Sequence, residues 1–458
     1  KRACSRIAPF LPPGLCDSTE MTDRETWATR IGFILASVGS AVGLGNIWRF
    51  PYQTAEFGGA AFLLVYLVAV LVIGVPAILG EFVIGRRADI SAISAFDALD
   101  RPGWRIVGAL GVFGGFWTLS YYSVVGGWVF RYIGASATGS YLESPGAYFI
   151  SVSAGPEAVA FHGAFMLVTV GIVAFGIRGG IEKATKVMVP SIVLLLVGLA
   201  AYAFTLSGAE AGYQYFLSPD IDLLLSNYQT VVPAAVGQAL FSLSLGFAVM
   251  ITYASYIDDD ENLFIDGGVI ALTNTFIGIT AGLVVFPLLA VQGGGYGEAG
   301  PGAIFVSIPT ALSEVPFGTA VGFVFFLIVA VAALSSAISL LEVVVSYLVD
   351  SYGFERRRTS VLLGGIVFAL GVPSATETAW LEWFDAIGVN LLLPLAVLLT
   401  VVFVGWVLAD DAVEEVRRGA DGFDALGPIW LWSIRSIVFL AVLGTVALSV
   451  FELTGAPL

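Results

Sequence analysis

The chain is short of the residues that enzymes rely on most. It has one histidine and two cysteines, and charged residues make up only 12% of it. With His162 as the sole histidine, no Ser/His/Asp set or histidine-based metal cluster can be assembled. A lone histidine near the end of an apolar run reads instead as interfacial. Both cysteines, Cys4 and Cys16, fall among the first twenty residues, so neither a disulfide nor a cysteine metal site braces the rest of the chain. Those twenty residues, KRACSRIAPFLPPGLCDSTE, hold no apolar run of signal-peptide length and read as a disordered cytoplasmic tail, with Met21 as a candidate native start. Long polar stretches are missing too, which leaves no room for a soluble catalytic domain. The net charge of −15 argues against a nucleic-acid partner; acidic clusters such as DDDEN at 258–262 and DDAVEE at 410–415 read as solvated loops.

What is abundant is apolar. Hydrophobic residues make up 58% of the 458, and mean hydropathy is +0.92. Runs long enough to cross about 30 Å of hydrocarbon lie near 31–54, 60–85, 106–133, 159–177, 187–206, 231–257, 265–291, 317–349, 360–373, 383–408 and 433–453. They predict an all-α, multi-pass membrane protein with about eleven helical spans. Starting the first run in the cytoplasm puts Arg86, Arg87, Arg101, Arg105, Arg178, Lys183, Lys186, Arg356, Arg357, Arg358, Arg417 and Arg418 on the inner side. That asymmetry predicts a cytoplasmic N-terminus in the cell membrane.

The informative polar residues are those inside the runs, where an ionisable group is costly and faces a partner or a cavity. They are Arg49, Glu81, Glu342 and Asp385, with Asn46, Gln238, Asn274 and Asn390 as neutral companions. SAVGLGNIWRFP at 40–51 interrupts the first run with glycines, an asparagine, an arginine and a proline, predicting that the helix unwinds around 41–45. QALFSLSLGFAVMITY at 238–253 interrupts the sixth run in similar register. Five spans separate the two breaks, so they sit on helices of opposite direction, as an inverted repeat requires. Paired breaks of this kind point to a transporter's mid-membrane binding site.

WATRIGFILASVGSAVGLGNIWRFPYQTAEFGGAAFLLVY at 27–66 resembles the first-helix signature of the neurotransmitter:sodium symporter family. GEFVIGR at 80–86, GIEKATKVMVP at 180–190, AVGQALFSLSLGFAVMITYASY at 235–256, TNT at 273–275, AALSSAISLLE at 332–342 and WFDAIGVNLLLPL at 383–395 follow in family order. The likeness covers about residues 22–408. It implies a LeuT-type fold: an N-terminal segment over 1–26, a first five-helix repeat over 27–206, a second, inverted five-helix repeat over 207–408, and a cytoplasmic loop with an eleventh helix over 409–458.

The resemblance also implies roles. One sodium site would use Ala41, Asn46, Ser242 and Asn274 together with the substrate carboxylate; a second would use Gly39, Val42, Ala332, Ser335 and Ser336. All the proposed ligands are oxygens, which hard cations prefer. Substrate would lie against Gly43, Leu44 and Gly45, its carboxylate held by amides there and by Tyr122, and its amine meeting carbonyls at Ala41, Phe241 and Ser242. Thr118, Phe241, Ser244, Phe247, Ser336 and Leu340 would line an apolar, mid-sized side-chain pocket. Relatives that carry monoamines place an aspartate where this chain has Gly43, so the glycine implies a free amino acid. Arg49 and Asp385 would close the outer vestibule, and Arg24 and Asp350 the inner one, with Trp27, Ser255 and Tyr256 nearby. Glu81 would cap freed amides, and Glu342 stands where some relatives have glutamine.

Chloride would be held by Tyr66, Gln238, Ser242 and Asn274. Gly278 is neither the acid of chloride-independent relatives nor the serine of chloride-dependent ones, and the question stays open. The sequence therefore predicts a sodium-coupled importer of hydrophobic or aromatic amino acids, not an enzyme, working by alternating access. The alternatives are proton coupling on the same fold and a sensor that binds without cycling. Oligomeric state is not predicted.

Overall fold

The computed structural model describes residues 25–291, 302–420, 422 and 425–454. The expected tail, with Cys4, Cys16, Met21 and Arg24, lies outside the described residues. Within them the chain forms helices and no strand. The first span is a bent pair, Arg30–Ala41 (α1) and Gly45–Glu56 (α2), whose axes differ by 49°. Next come Ala60–Ala88 (α3), Arg105–Ser136 (α4), Pro156–Val173 (α5) and Ile177–Ala203 (α6). Ile221–Ser242 (α7) and Val249–Ala254 (α8) form a second interrupted pair. Leu263–Ala290 (α9), Gly318–Tyr352 (α10), Arg356–Thr376 (α11) and Thr378–Leu408 (α12) come after them. A short helix, Asp410–Arg417 (α13), leads into Leu426–Phe451 (α14). Each expected span has its helix, and both expected interruptions are present.

Local chemistry sets several boundaries. Thr29, Asp220 and Asn262 cap α1, α7 and α9, their side-chain oxygens accepting from Gly32 N at 3.1 Å, Leu223 N at 2.9 Å and Ile265 N at 3.2 Å. Asp89 ends α3 in the left-handed region at φ 51°, after Arg86 and Arg87 have placed positive charge on the last turn. Helix α10 runs through the centre, packed on α4, α6 and α1. Its buried Ala332, Ala333, Ser335, Ser336 and Ser339 are small enough for neighbouring backbones to approach closely.

Two expectations fail here. DDAVEE at 410–415 is not a solvated loop but most of α13, an amphipathic helix that buries Ala412, Val413, Glu415 and Val416. Glu415 tolerates full burial because Arg86, itself buried, donates to its carboxylate from Nε at 2.7 Å and to the Glu261 carbonyl at 2.6 Å. His162 is not interfacial. It is fully buried on α5, stacked on Phe368 at 4.8 Å with Nε2 3.1 Å from the Phe368 carbonyl oxygen. Gly127 on α4 and Gly371 on α11 lie directly against it, and their missing side chains make the room.

Candidate substrate and cation site

The first break is compact. Helix α1 stops at Ala41, Val42 leaves helical geometry at φ −81°, ψ 89°, and Leu44 is back in helical geometry at φ −58°, ψ −24°. The unwound stretch is thus Val42 and Gly43, narrower than expected. Its freed groups find side chains. The Ser40 carbonyl accepts from Ser244 Oγ and Ser336 Oγ, both at 2.8 Å, and Leu44 N donates to the Tyr122 hydroxyl at 3.2 Å.

The second break is more strained. Between α7 and α8, Ser244, Gly246 and Ala248 all take positive φ, 53°, 79° and 59°. Gly246 does so freely, whereas each of the other two costs roughly 1 kcal/mol. Strain of this kind persists only where the surroundings over-determine it. Here Gly246 N donates to Glu81 Oε1 at 2.7 Å, so Glu81 caps a freed amide as the sequence predicts.

Between the breaks, oxygen atoms crowd together. Asn274 Oδ1 lies 3.2 Å from the Ala41 carbonyl oxygen and 3.1 Å from that of Ser242. Such acceptors repel when no hydrogen lies between them. Turning the Asn274 amide over would relieve that repulsion but would set its nitrogen against Asn46 Nδ2, which donates to Asn274 Oδ1 at 2.8 Å and to the Asn274 carbonyl at 3.0 Å. The orientation with oxygens together is the one a hard cation stabilises. A second gathering lies on α10, where Ser335 Oγ is 2.9 Å from Ala332 O and 3.3 Å from Val42 O. A Cβ on Gly39 would stand 3.3 Å from Ser335 Cβ, so Gly39 borders the same spot. Ser336 differs from the rest because its hydroxyl is committed to Ser40.

The expected chloride residues are partly assembled. The Tyr66 hydroxyl is 3.0 Å from Ser242 Oγ, and Asn274 Nδ2 donates to that Oγ at 3.4 Å. Gln238 turns its amide nitrogen to Gly45 O at 2.8 Å, leaving its buried Oε1 without a partner among the described residues. Gly278 faces this cluster, since a Cβ there would lie 3.5 Å from Asn46 Nδ2.

A cavity of about 30 Å³ sits beside both breaks, lined by Ser40, Ala41, Gly43, Gly45, Thr118, Tyr122, Phe241, Ser244, Phe247, Ser336 and Leu340. Of the residues assigned to substrate, Leu44 stands outside the lining and offers its amide to Tyr122, while Ser242 turns to Tyr66. The space holds about two waters, so an amino acid enters only as the rings of Phe241 and Phe247 give way. Phe241 roofs it. The Arg49 guanidinium lies 5.1 Å over that ring and its Nη1 is 3.8 Å from Asp385 Oδ2. Above them opens a vestibule of about 340 Å³ bordered by Trp48, Tyr52, Tyr121, Leu381 and Asn390.

The opposite end is tied shut around the start of α1. Trp27 Nε1 donates to Tyr253 O at 2.9 Å, and Ala28 N and Thr29 Oγ1 donate to Glu182 at 2.8 and 2.9 Å. Arg30 pairs with Asp266 at 2.6 Å and Glu261 at 2.8 Å. The Tyr256 hydroxyl donates to Glu342 at 3.2 Å, and Glu342 is also paired with Arg356, whose Nε reaches Val173 O at 3.2 Å. Asp350 lies on α10 at this end; its expected partner Arg24 is outside the described residues. Sequence reasoning misses Ser40, Glu182 and Arg356. The arginine run at 356–358 is a visible signal, but by itself it speaks only to topology.

A gathering of oxygen atoms and a small pocket beside two interrupted helices, tied at both ends, define the site of a secondary transporter. Known proteins agree with this. Residues 24–143 and 157–456 match the sodium:neurotransmitter symporter family. An uncharacterised sodium-dependent transporter of Bacillus subtilis is 34% identical over 91% of this chain and 96% of its own. One from Methanocaldococcus jannaschii is 37% identical over 86% of this chain and 84% of its own. The crystal structure of MhsT in complex with L-phenylalanine superposes with a TM-score of 0.84 at 40% identity, covering 93% of this chain and all of that one. The chain belongs to the sodium:neurotransmitter symporter family. It is a sodium-dependent symporter with the LeuT-type fold, two inverted five-helix repeats around broken first and sixth spans, and it is not an enzyme.

Proposed function

We propose that the protein imports a free hydrophobic or aromatic amino acid across the cell membrane, driven by two sodium ions, with its N-terminus in the cytoplasm. The observation that carries this reading is the convergence of the Ala41 and Ser242 carbonyl oxygens on the Asn274 side-chain amide, whose facing atom lies 3.2 and 3.1 Å from them. A sodium ion there, with Asn46 completing the side-chain set, leaves one ligand place for the substrate's carboxylate. The shared ligand makes the two binders raise each other's affinity equally, which is the thermodynamic content of coupling. Ser335, Ala332, Val42 and Gly39 would form the second site.

Gly43 supports a substrate that brings its own carboxylate. A Cβ there would fall 2.8 Å from the Tyr122 hydroxyl and closer still to Ser336 Oγ, so a larger residue would have to displace both hydroxyls. The apolar walls from Phe241, Phe247 and Leu340, and the phenylalanine in the similar MhsT structure, favour a hydrophobic or aromatic side chain. Arg49 and Asp385 serve as the outer gate, and the ties around Trp27, Tyr256 and Asp350 as the inner one. Chloride at Tyr66, Gln238, Ser242 and Asn274 is favoured by Gly278, which brings no carboxylate to that cluster. The five-helix repeats run over 27–206 and 207–408.

Uptake into proteoliposomes, with sodium, proton and chloride gradients imposed separately and a panel of amino acids offered, tests the whole reading. Accumulation of phenylalanine-like substrates that follows the sodium gradient is expected. Uptake indifferent to sodium, or driven by protons alone, overturns it.

A further inference from the structure

Away from the transport pathway, a groove of about 680 Å³ runs between α13 and α14. Its walls carry both signs of charge: Arg417 and Arg435 on one hand, Asp410 and Glu414 on the other, with Trp432 and Leu431 as apolar flanks. Arg435 is the unusual member. It lies about 13 Å along α14 from Leu426, in a helix apolar enough to span the bilayer, and it is exposed on the outer surface of the bundle. An arginine in such an apolar helix is costly unless it finds a polar partner or reaches the interface.

Its only hydrogen bond among the described residues runs from Nε to the Gly405 carbonyl at 2.6 Å. That bond joins two widened π-helical segments, Phe403–Leu408 and Ile434–Val438, and such insertions recur at functional sites. The backbone contact fixes the guanidinium and leaves its Nη hydrogens directed elsewhere. Exposed Trp406 and Trp432 flank the place, as aromatic side chains do at the headgroup level of a bilayer. Glu414 is held only loosely, 3.4 Å from Arg418.

We propose that this groove binds one phospholipid headgroup that carries both a phosphate and a primary ammonium, of the phosphoethanolamine kind. Arg435 and Arg417 take the phosphate through charge-assisted hydrogen bonds. Asp410 and Glu414 take the ammonium, whose N–H groups a quaternary choline lacks. A purely anionic headgroup would set its charge against the two carboxylates. The site also has a structural reach, because α13 is the helix that Glu415 fastens to Arg86 at the end of α3.

The test is native mass spectrometry of the full chain in detergent, titrated with phosphatidylethanolamine, phosphatidylcholine and phosphatidylglycerol of identical acyl chains. Phosphatidylethanolamine is expected to be retained about tenfold more strongly than either of the others, and Arg435→Gln to lower its retention about tenfold. The double variant Asp410→Asn/Glu414→Gln is expected to bind both zwitterionic lipids alike. Sodium-dependent amino-acid binding, measured in parallel, reports that each variant is folded. Equal retention by Arg435→Gln and the parent, or phosphatidylglycerol retained as well as phosphatidylethanolamine, overturns the proposal.

Discussion

The Tyr122 hydroxyl stands 3.2 Å from the amide of Leu44, the residue at which winding resumes after the first break. The Leu44 N–H points at the hydroxyl oxygen, which leaves the O–H free to donate to an anionic group. Tyr122→Phe removes that donor while keeping the ring. Amino-acid affinity should fall about tenfold, the worth of a hydrogen bond to a charged partner, while sodium binding without substrate changes little. Equilibrium binding of radiolabelled substrate at saturating sodium checks the first part, and a sodium titration the second.

Asn46→Ala removes the donor that fixes the Asn274 amide. Sodium affinity and substrate affinity should drop together and by similar factors, since coupling between binders is reciprocal. If sodium binding weakens and substrate binding does not, the shared-carboxylate arrangement is wrong.

Gly43→Ala inserts a methyl group 2.8 Å from the Tyr122 oxygen and against Ser336. Substrate binding is expected to fall more than tenfold, with the sodium response of the apo protein preserved. Unchanged uptake would show that the carboxylate does not lie at this backbone.

Arg49→Ala removes the charge that lies over Phe241 and faces Asp385. The reactivity of a cysteine introduced into the vestibule by Tyr52→Cys should rise, and substrate should dissociate faster, with sodium affinity nearly constant. Equal losses in sodium binding and in closure would count against a gate.

Thr118 lines the pocket wall with a buried hydroxyl that has no hydrogen-bond partner among the described residues. Thr118→Val has almost the same shape and removes an unsatisfied donor, so thermal stability of the substrate-free protein should rise, by about 1 kcal/mol. Preference should shift towards substrates with purely aliphatic side chains, read from competition assays across a panel.

The spans and both breaks were legible because length, hydropathy and glycine placement are local properties, and the bilayer permits few alternatives to a helix. The cluster around Ala41, Asn46, Ser242 and Asn274 was legible only through family resemblance; nothing in spacing brings residue 274 to residue 41. What stayed hidden depends on long-range pairing. Glu415 looks like one more solvated acid because its partner Arg86 is remote in the chain. His162 looks interfacial because the glycines that admit it, Gly127 and Gly371, lie on other helices. Arg356 is one of three adjacent arginines, and only the folded bundle distinguishes the one that meets Glu342.

The clasp between Arg86 and Glu415 joins residues 329 positions apart. A ribosome adding 5–20 residues per second needs roughly 15 to 65 seconds to bridge that interval. Throughout that time the arginine at the end of α3 lacks both the carboxylate that neutralises it and the helix that covers it, and closing the bundle over it without Glu415 would cost several kcal/mol. The base of the bundle therefore sets last, when α13 emerges. Nascent chains halted before residue 415 should be conspicuous to membrane quality control, however well their earlier helices have inserted.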